Sequence, residues 1–387
     1  MASCAGCLKD NASQRCSQCR CMFYCNKECA TKHWRAEHKG ECQSLRTELE
    51  RCNIVDERTK ALVEKISAVE SEGDVCCVCL EKLTASNAVG LPCKHLLCGE
   101  CVFKLPGRVT ANFSGGNTFK GPSCPQCRVS VPSFQSLIQH LYETVAEMTQ
   151  SANRMERGSS GRNTLTQFAL NQNTILLKFV SELRSELSAD SSVQGVNTCD
   201  QLLLHLRILA VDIDLCRGNA TECIEKATAL LVDWGNKLEK LYAINMNIQC
   251  GKAHMLLGDF PKAISSFKTA LSTVDQNLHT IQAQNCFYEL IRCFYEIKAY
   301  DLALNAGEAA VAMNQYYDGV YRYIALTHKA MGNLDLAIET MKKAAVYETP
   351  WDNKNKAVVR ALLNELVEEK NRADRTQEGE SKSTSDG

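Results

Sequence analysis

Eight potential metal ligands lie between residues 76 and 127, and their spacing constrains this chain more than any other feature. They form four close pairs, which are Cys76 and Cys79, Cys93 and His95, Cys98 and Cys101, and Cys124 and Cys127. Two cysteines separated by two residues reach one metal ion from a tight turn, and tetrahedral zinc accepts both thiolate and imidazole. The stretch therefore predicts a small module that holds two zinc ions.

The order of these pairs, C-x-x-C, C-x-H, C-x-x-C and C-P-x-C, resembles the RING finger family. The resemblance implies a cross-brace, in which the first and third pairs hold one zinc ion and the second and fourth pairs hold the other. A different double-zinc fold is the alternative. Cys77 is adjacent to Cys76, so it is a second candidate for the first ligand, although the two-residue gap to Cys79 favours Cys76.

Members of the RING family bind a ubiquitin-conjugating enzyme and hold its ubiquitin thioester in a reactive geometry. The residues that match the family's contact positions are Val78, Leu80, Pro125 and Arg128. The resemblance implies apolar contacts from the first three and hydrogen bonds from the Arg128 guanidinium to both the conjugating enzyme and ubiquitin. The alternatives are core packing for Val78 and Leu80 and a solvated charge for Arg128.

The chemistry expected of this finger argues against covalent catalysis. Its cysteines are zinc thiolates, which are deprotonated but made poor nucleophiles by the metal. Any rate enhancement would come from positioning and hydrogen bonding. The segment from Val102 to Ser123 departs from the family because it has no Trp where many RING fingers carry an apolar groove residue, and Phe103 and Leu105 are candidate substitutes.

A second set of ligands opens the chain and resembles the MYND zinc finger over residues 4–42, through Y-C-N-K-E-C and W-R-A-E-H-K-G-E-C. The resemblance implies one zinc ion on Cys4, Cys7, Cys25 and Cys29 and another on Cys16, Cys19, His38 and Cys42. His33 is the alternative nitrogen donor. MYND fingers bind short peptides and have no catalysis of their own, and a purely structural role is the alternative.

Composition narrows the class of protein. The 387 residues are 45% apolar and carry a formal net charge of −1, which argues against a surface built to bind nucleic acid. We expect no membrane contact and no secretory signal, because no charged start precedes an apolar run and no apolar stretch reaches bilayer length. In a reducing compartment the 23 cysteines favour metal sites over disulfides. We expect a cytoplasmic protein, with the nucleus as the alternative.

Helical periodicity dominates the sequence outside the fingers. Apolar residues at spacings of three and four predict a helical spacer over 46–73 and a helical, coiled-coil-like segment over 133–190. The seam of the latter is Phe134, Leu137, Leu141, Val145, Met148, Ala152 and Met155. It either pairs two chains, as a homodimer through residues 134–187, or packs on the next helix. Residues 188–197 read as a linker into a separate domain.

The last part of the chain repeats. Gly251, Gly258, Phe260, Ala263, Phe267 and Ala270 have the same spacing as Ala325, Gly332, Leu334, Ala337, Met341 and Ala344. This spacing resembles the tetratricopeptide repeat (TPR), a pair of antiparallel helices with small residues at their crossing. A middle copy contains Ala303, and a degenerate copy lies around residues 202–231. Stacked pairs expose a concave surface that suits peptides.

The sequence therefore predicts a mainly α protein in which two small zinc cross-brace modules precede a helical segment and an α-solenoid of TPR-like helix pairs. The predicted bounds are 1–45 for the MYND finger, 74–130 for the RING finger, 198–366 for the repeats and 370–387 for a disordered tail. The predicted function is RING-type ubiquitin ligation of a target held by the MYND finger or the repeats. A non-enzymatic interaction scaffold and a transcriptional adaptor are the alternatives.

Overall fold

The computed structural model divides the chain into two compact units, which are residues 55–257 and residues 1–54 together with 258–387. The predicted spacer, 46–73, lies almost wholly outside the described residues. No helix among the residues described below is both long and apolar enough to span a bilayer. The described residues are 4–5, 7, 12–19, 22–40, 42–43, 46–47, 64, 75–84, 87–93, 95–103, 105, 123–129, 134–155, 158–189, 193–275, 280–313, 318–346 and 353–383.

The first finger, residues 4–42, folds around a short hairpin and one helix. Strands β1 (Gln14–Arg15) and β2 (Phe23–Tyr24) pair antiparallel. Helix α1 (Lys27–His33) begins where the Asn26 side chain accepts a 2.8 Å hydrogen bond from the Cys29 backbone N–H, and it continues into a π-helical turn, Trp34–His38. Side-chain capping of this kind satisfies a backbone donor that has no partner within the helix.

The second finger, residues 76–127, also contains a hairpin and a helix. Strands β3 (Ala88–Gly90) and β4 (Leu96–Cys98) pair antiparallel, with Val89 opposite Leu97, and helix α2 (Gly99–Phe103) follows directly. Val89 and Leu97 are fully buried. This hairpin brings the middle ligands of the stretch toward its two ends.

Among the described residues of its unit, five α-helices follow the second finger. They are α3 (Phe134–Arg154), α4 (Ser160–Ala189), α5 (Val193–Arg217), α6 (Ala220–Trp234) and α7 (Lys240–Leu256). Along α3, the predicted seam residues Leu137, Leu141, Val145, Met148 and Ala152 are buried, and they pack in a core with residues of α4 and α5. Of the two readings of the seam, packing within the chain is therefore the one that the structure adopts.

The second finger shares that core. Its buried residues Leu83, Val89, Leu97 and Val102 belong to the same apolar cluster as residues of α3, α4 and α5. The buried Gln172 side chain of α4 donates a hydrogen bond to the backbone oxygen of Ala88. Finger and helices thus form one hydrophobic unit, although their sequences suggest consecutive modules.

The prediction of a linker over residues 188–197 is wrong. Helix α4 extends to Ala189 and α5 begins at Val193, inside the predicted linker. Cys199, Leu203 and Leu206 of α5 are buried in the core that α3 and α4 form. The stretch is rich in polar residues and contains Gly195, which favours a loop, but a helix that gains tertiary contacts further along tolerates such residues near its start.

The repeats are confirmed as helix pairs joined by short turns. Helices α8 (Phe260–Thr273), α9 (Thr280–Glu296), α10 (Tyr300–Met313), α11 (Asp318–Ala330) and α12 (Leu334–Val346) continue the series. Gly218, Gly258, Lys298 and Gly332 occupy equivalent turn positions with φ of 84°, 76°, 60° and 81°. A left-handed residue ends a helix sharply, and glycine adopts it without strain. Helices α5 and α6, which are joined at Gly218, form the degenerate copy of the repeat that the sequence predicts.

The polar tail differs from expectation. Residues 370–387 are predicted to be disordered, yet α13 (Asn353–Ser383) continues through most of them. Val359 and Leu366 anchor this helix in a core with α11 and α12, where Ala325 and Met341 are also buried. Once a helix is nucleated by packing, Glu, Lys, Arg and Gln propagate it at little cost.

Candidate metal centres

The structure gathers all sixteen predicted ligands into four groups. Within each group every donor atom lies within 4.8 Å of the others. The groups are Cys4, Cys7, Cys25 and Cys29; Cys16, Cys19, His38 and Cys42; Cys76, Cys79, Cys98 and Cys101; and Cys93, His95, Cys124 and Cys127. In both fingers the first pair joins the third and the second pair joins the fourth, which is the cross-brace arrangement.

Donor separations in the first finger suit zinc. The Sγ of Cys25 lies 3.6 Å from the Sγ atoms of both Cys7 and Cys29, and the Sγ atoms of Cys16 and Cys42 are 3.7 Å apart. Two thiolates about 2.3 Å from a tetrahedral zinc ion lie about 3.8 Å from each other. A disulfide would bring the sulfurs to about 2.0 Å, and these cysteines are free.

The structure distinguishes the two candidate histidines of the first finger. His38 is fully buried and its Nε2 lies 3.3 Å from the Cys19 Sγ. The Nδ1 of His33 instead lies 3.0 Å from the Tyr24 hydroxyl, and its ring stacks on His38 at 5.7 Å between centroids. His38 is therefore the fourth member of the second group, while His33 supports the ring that carries the donor.

The second finger repeats this geometry. The Sγ atoms of Cys79 and Cys98 are 3.5 Å apart, and the Nδ1 of His95 lies 3.7 Å from the Cys124 Sγ. Burial raises the pKa of the Cys76 thiol, but hydrogen bonds from backbone groups of Cys98, Cys79 and Val78 outweigh it and lower this pKa to about 6. Zinc binds the thiolate form. Cys77 is exposed and belongs to none of the four groups.

Two matching turns carry the outer ligands of the second finger. In one turn the Leu80 N–H donates to the Cys76 oxygen at 2.8 Å, and in the other the Arg128 N–H donates to the Cys124 oxygen at 2.8 Å. Leu80 and Arg128 both have left-handed backbones, with φ of 62° and 63°. Residues other than glycine are uncommon in this conformation. The turns therefore project both side chains at equivalent places after a ligand pair.

The predicted contact residues are exposed rather than part of the core. Val78 is 50% and Leu80 is 73% exposed, and Pro125 and Arg128 are exposed as well. Val75 and Val129 add two half-exposed apolar side chains beside the turns, at 52% and 53%. Neither residue was predicted from the sequence, although each lies next to a ligand or to Arg128. The alternative of core packing for Val78 and Leu80 is wrong.

One candidate groove residue does not reach this face. Leu105 is 5% exposed and so lies in the interior of the finger. The Phe103 side chain and residues 106–122 lie outside the described part of the chain. Val75 and Val129 are the described apolar side chains that enlarge the exposed face instead.

The donor sets fit structural zinc. Each group offers four donors, either four thiolates or three thiolates and one imidazole, which are the ligand sets of closed tetrahedral zinc sites. The separations between donor atoms agree with that geometry in both fingers. A closed site leaves no position for substrate, so zinc would stabilise the fold and take no part in bond making.

Comparison with known proteins identifies the first finger. Residues 4–42 match the family described as the MYND finger. A stretch of 41 residues is 49% identical to ubiquitin carboxyl-terminal hydrolase 17 of Arabidopsis thaliana, and it covers 11% of this chain and 6% of that protein. The likeness lies in the MYND finger. The chain thus spans a small part of that relative's length.

Solved structures of repeat proteins are also similar to this chain. BtubC from P. vanneervenii gives a TM-score of 0.37 at 16% identity, covering 59% of this chain and 92% of that one. YrrB, described as a TPR protein with an unusual peptide-binding site, gives 0.34 at 16% identity, covering 59% and 97%. Neither score reaches 0.5, so the description of the repeats rests on the helices and turns given above. The chain thus carries a MYND finger and a TPR-like helical region.

Proposed function

We propose that this chain is a RING-type ubiquitin-protein ligase. In this proposal the second finger binds a ubiquitin-conjugating enzyme, and the MYND finger or the TPR-like helices hold the protein that receives ubiquitin. The observation that carries the proposal is the exposed face formed by Val78, Leu80, Pro125 and Arg128 on a cross-braced finger. Exposed apolar side chains clustered on a rigid module suit a protein partner.

The proposed mechanism is positioning. The sulfurs of the finger are held in metal-binding groups, so the thioester of the conjugating enzyme remains the only electrophile and the target amine the nucleophile. Arg128 carries five N–H donors in a planar fork, which suits it to bridge carbonyl groups of two proteins. Its left-handed backbone fixes the direction in which the side chain leaves the finger. Holding the thioester in a reactive conformation lowers the entropic cost of attack.

We further propose four zinc ions, two for each finger. Four groups of four donors support this number. Elemental analysis of the purified chain is expected to return four zinc ions per molecule, and a value of two or less would contradict the double cross-brace. We also propose a cytoplasmic location, with the nucleus as the alternative, because metal-binding thiols persist in reducing compartments.

Ubiquitin discharge tests the ligase proposal. The purified chain is mixed with a panel of charged conjugating enzymes and free lysine, beside Arg128→Ala and the control Arg154→Ala. Arg154 is exposed and lies on α3. We expect the wild type and the control to accelerate discharge and Arg128→Ala to lose most of the acceleration, because a positioned charged hydrogen bond contributes about 2 kcal/mol.

A chain that binds zinc but leaves discharge unchanged across the panel would contradict this proposal. The non-enzymatic interaction scaffold would then be the better description, since a MYND finger and TPR-like helices are both protein-binding modules. A variant Leu80→Ala separates the outcomes further. It should weaken binding of the conjugating enzyme, measured by titration, while zinc content stays unchanged.

A further inference from the structure

A cluster of tyrosine and arginine side chains lies on two neighbouring helices of the repeats. We call it the tyrosine–arginine face, and it consists of Tyr288, Arg292 and Tyr295 on α9 and Arg322 and Tyr323 on α11. The Tyr323 ring is 5.9 Å from Tyr288 and 6.1 Å from Tyr295, in edge-on contacts. Such contacts hold aromatic rings in place without filling both ring faces.

The two guanidinium groups lie over these rings. The Cζ of Arg292 is 5.8 Å from the centroids of both Tyr288 and Tyr323, and the Cζ of Arg322 is 5.1 Å from Tyr323. Cation–π contacts at these distances orient the guanidinium planes. The face is therefore partly ordered before any partner arrives.

A close helix approach supports this arrangement. Gly319 of α11 is buried, and a Cβ atom there would lie 3.3 Å from the Tyr288 ring. This contact is tighter than ordinary van der Waals distance, so the lack of a side chain lets the ring pack on the helix backbone. The Tyr288 ring thus forms a fixed floor beneath the guanidinium of Arg292.

The exposed charge of the face is positive. The Glu289 side chain is only 8% exposed and is bound by Arg292 at 2.6 Å, while the Arg292 side chain is 35% exposed. Among the residues whose side chains the structure describes, none forms an ion pair with Arg322. At the far end Lys329 is bound by Glu365 and Glu369 of α13 at 2.6 and 2.9 Å. Glu289 offsets the charge of Arg292, so the net positive charge of the face lies mainly at Arg322.

From this geometry we infer that the tyrosine–arginine face binds an acidic segment of a partner protein. Carboxylates match the planar fork of arginine, and the tyrosine rings supply apolar area for the residues between them. The inference deepens the proposed function, on which it rests for the role of the segment as part of a ubiquitin target. RNA is less favoured, because two cations on a chain of net charge −1 neutralise few phosphates.

Fluorescence anisotropy with the full, zinc-loaded chain tests the inference. The probe is a short labelled peptide of alternating glutamate and leucine, and the comparison peptide carries glutamine for glutamate. We expect the glutamate peptide to bind, the glutamine peptide to bind at least about tenfold more weakly, and added salt to weaken the former. Equal binding of the two peptides would overturn the inference.

Charge variants locate the binding. Arg322→Glu is expected to weaken the glutamate peptide by about tenfold or more, since it replaces attraction with repulsion. Lys268→Glu makes the same change in net charge at an exposed position of α8 and is expected to change affinity by less than about twofold. Arg322→Gln removes the charge with a side chain that suits a helix, so it should also weaken binding if Arg322→Glu fails to fold.

Other results would overturn the inference. These are no peptide binding, equal weakening by Arg322→Glu and Lys268→Glu, or tighter binding of a labelled oligouridine that Arg322→Gln abolishes. Because the assay contains neither ubiquitin nor a conjugating enzyme, its outcome is independent of discharge. Discharge without peptide binding would remove this inference alone, and peptide binding without discharge would remove the ligase proposal alone.

Discussion

The two fingers pair their ligands in the same way, but they differ in whether their apolar core is their own or is shared with neighbouring helices. The first finger has its own core, in which Met22 and Tyr24 pack among the metal-binding cysteines. The second finger buries Leu83, Val89 and Leu97 in a core that α3, α4 and α5 also build. Ligand spacing therefore specifies metal chemistry and local turns. The apolar residues between the ligands decide whether a finger folds alone.

Replacing one cysteine ligand in each finger tests this contrast most strongly, because it disrupts one zinc site of that finger. Structural zinc contributes about 10 kcal/mol or more to the folding of small finger peptides. We expect Cys98→Ser to unfold the second finger and to lower the stability of α3–α5 by several kcal/mol. Cys16→Ser should unfold the first finger only. Hydrogen exchange of the α3 and α4 amides measures the difference, and equal protection in both variants would contradict a shared core.

Core truncations give a smaller version of the same test. Leu97 and Met22 are both buried, one in each finger. Leu97→Ala should lower the free energy of unfolding of the helical region by about 2–5 kcal/mol. Met22→Ala should leave that transition unchanged. Denaturant unfolding followed by the helical circular dichroism signal compares them, and similar midpoints for both variants would argue that the second finger is also independent.

The polar contact between finger and helix is expected to contribute less. Gln172→Ala leaves the Ala88 oxygen without its side-chain donor in a buried position, which costs about 1–3 kcal/mol. Lys178 lies on the same helix and is exposed, so Lys178→Ala serves as the control and should change stability by less than about 0.5 kcal/mol. Thermal unfolding at fixed zinc concentration measures both variants. Equal unfolding temperatures for the two variants would mean that the Gln172 hydrogen bond does not stabilise the contact between finger and helix.

The smallest effect is expected within the first finger. Tyr24→Phe removes the hydroxyl that lies 3.0 Å from the Nδ1 of His33, at a cost of about 1 kcal/mol. We expect faster zinc release to a chelator from the first finger and no change in the release from the second. A change in both rates would show that the fingers are coupled.

Local chemistry made the metal groups predictable. A pair of cysteines two residues apart encodes its own turn, and the resemblance to two finger families supplied the pairing of distant ligands. The shared core was not predictable in the same way, because the apolar character of Val89 or Leu97 does not say which helix covers it. The role of Gln172 was equally hidden, since a buried amide looks like any polar residue in a helical sequence.

The repeats show a similar division. The spacing of glycine and alanine predicted the helix pairs, and Gly218 marks the degenerate copy by its turn. The equivalent turn at Lys298 could not be predicted in this way, because lysine rarely adopts the left-handed backbone that it has here. The tyrosine–arginine face includes Arg292, Arg322 and Tyr323, which come together only because neighbouring helices are packed. Contacts between repeats thus need the structure.

Gly99 limits the substitutions that the contact between the second finger and α4 tolerates. A Cβ atom at this position would lie 3.0 Å from the Ile175 side chain of α4. A larger residue at 99 would therefore require the Ile175 side chain to move by a few tenths of an ångström, or a smaller residue at 175. Among descendants of one ancestral chain we expect the two positions to change together, with alanine at 99 accompanied by valine or alanine at 175. A finger that had separated from the helices would lose this correlation.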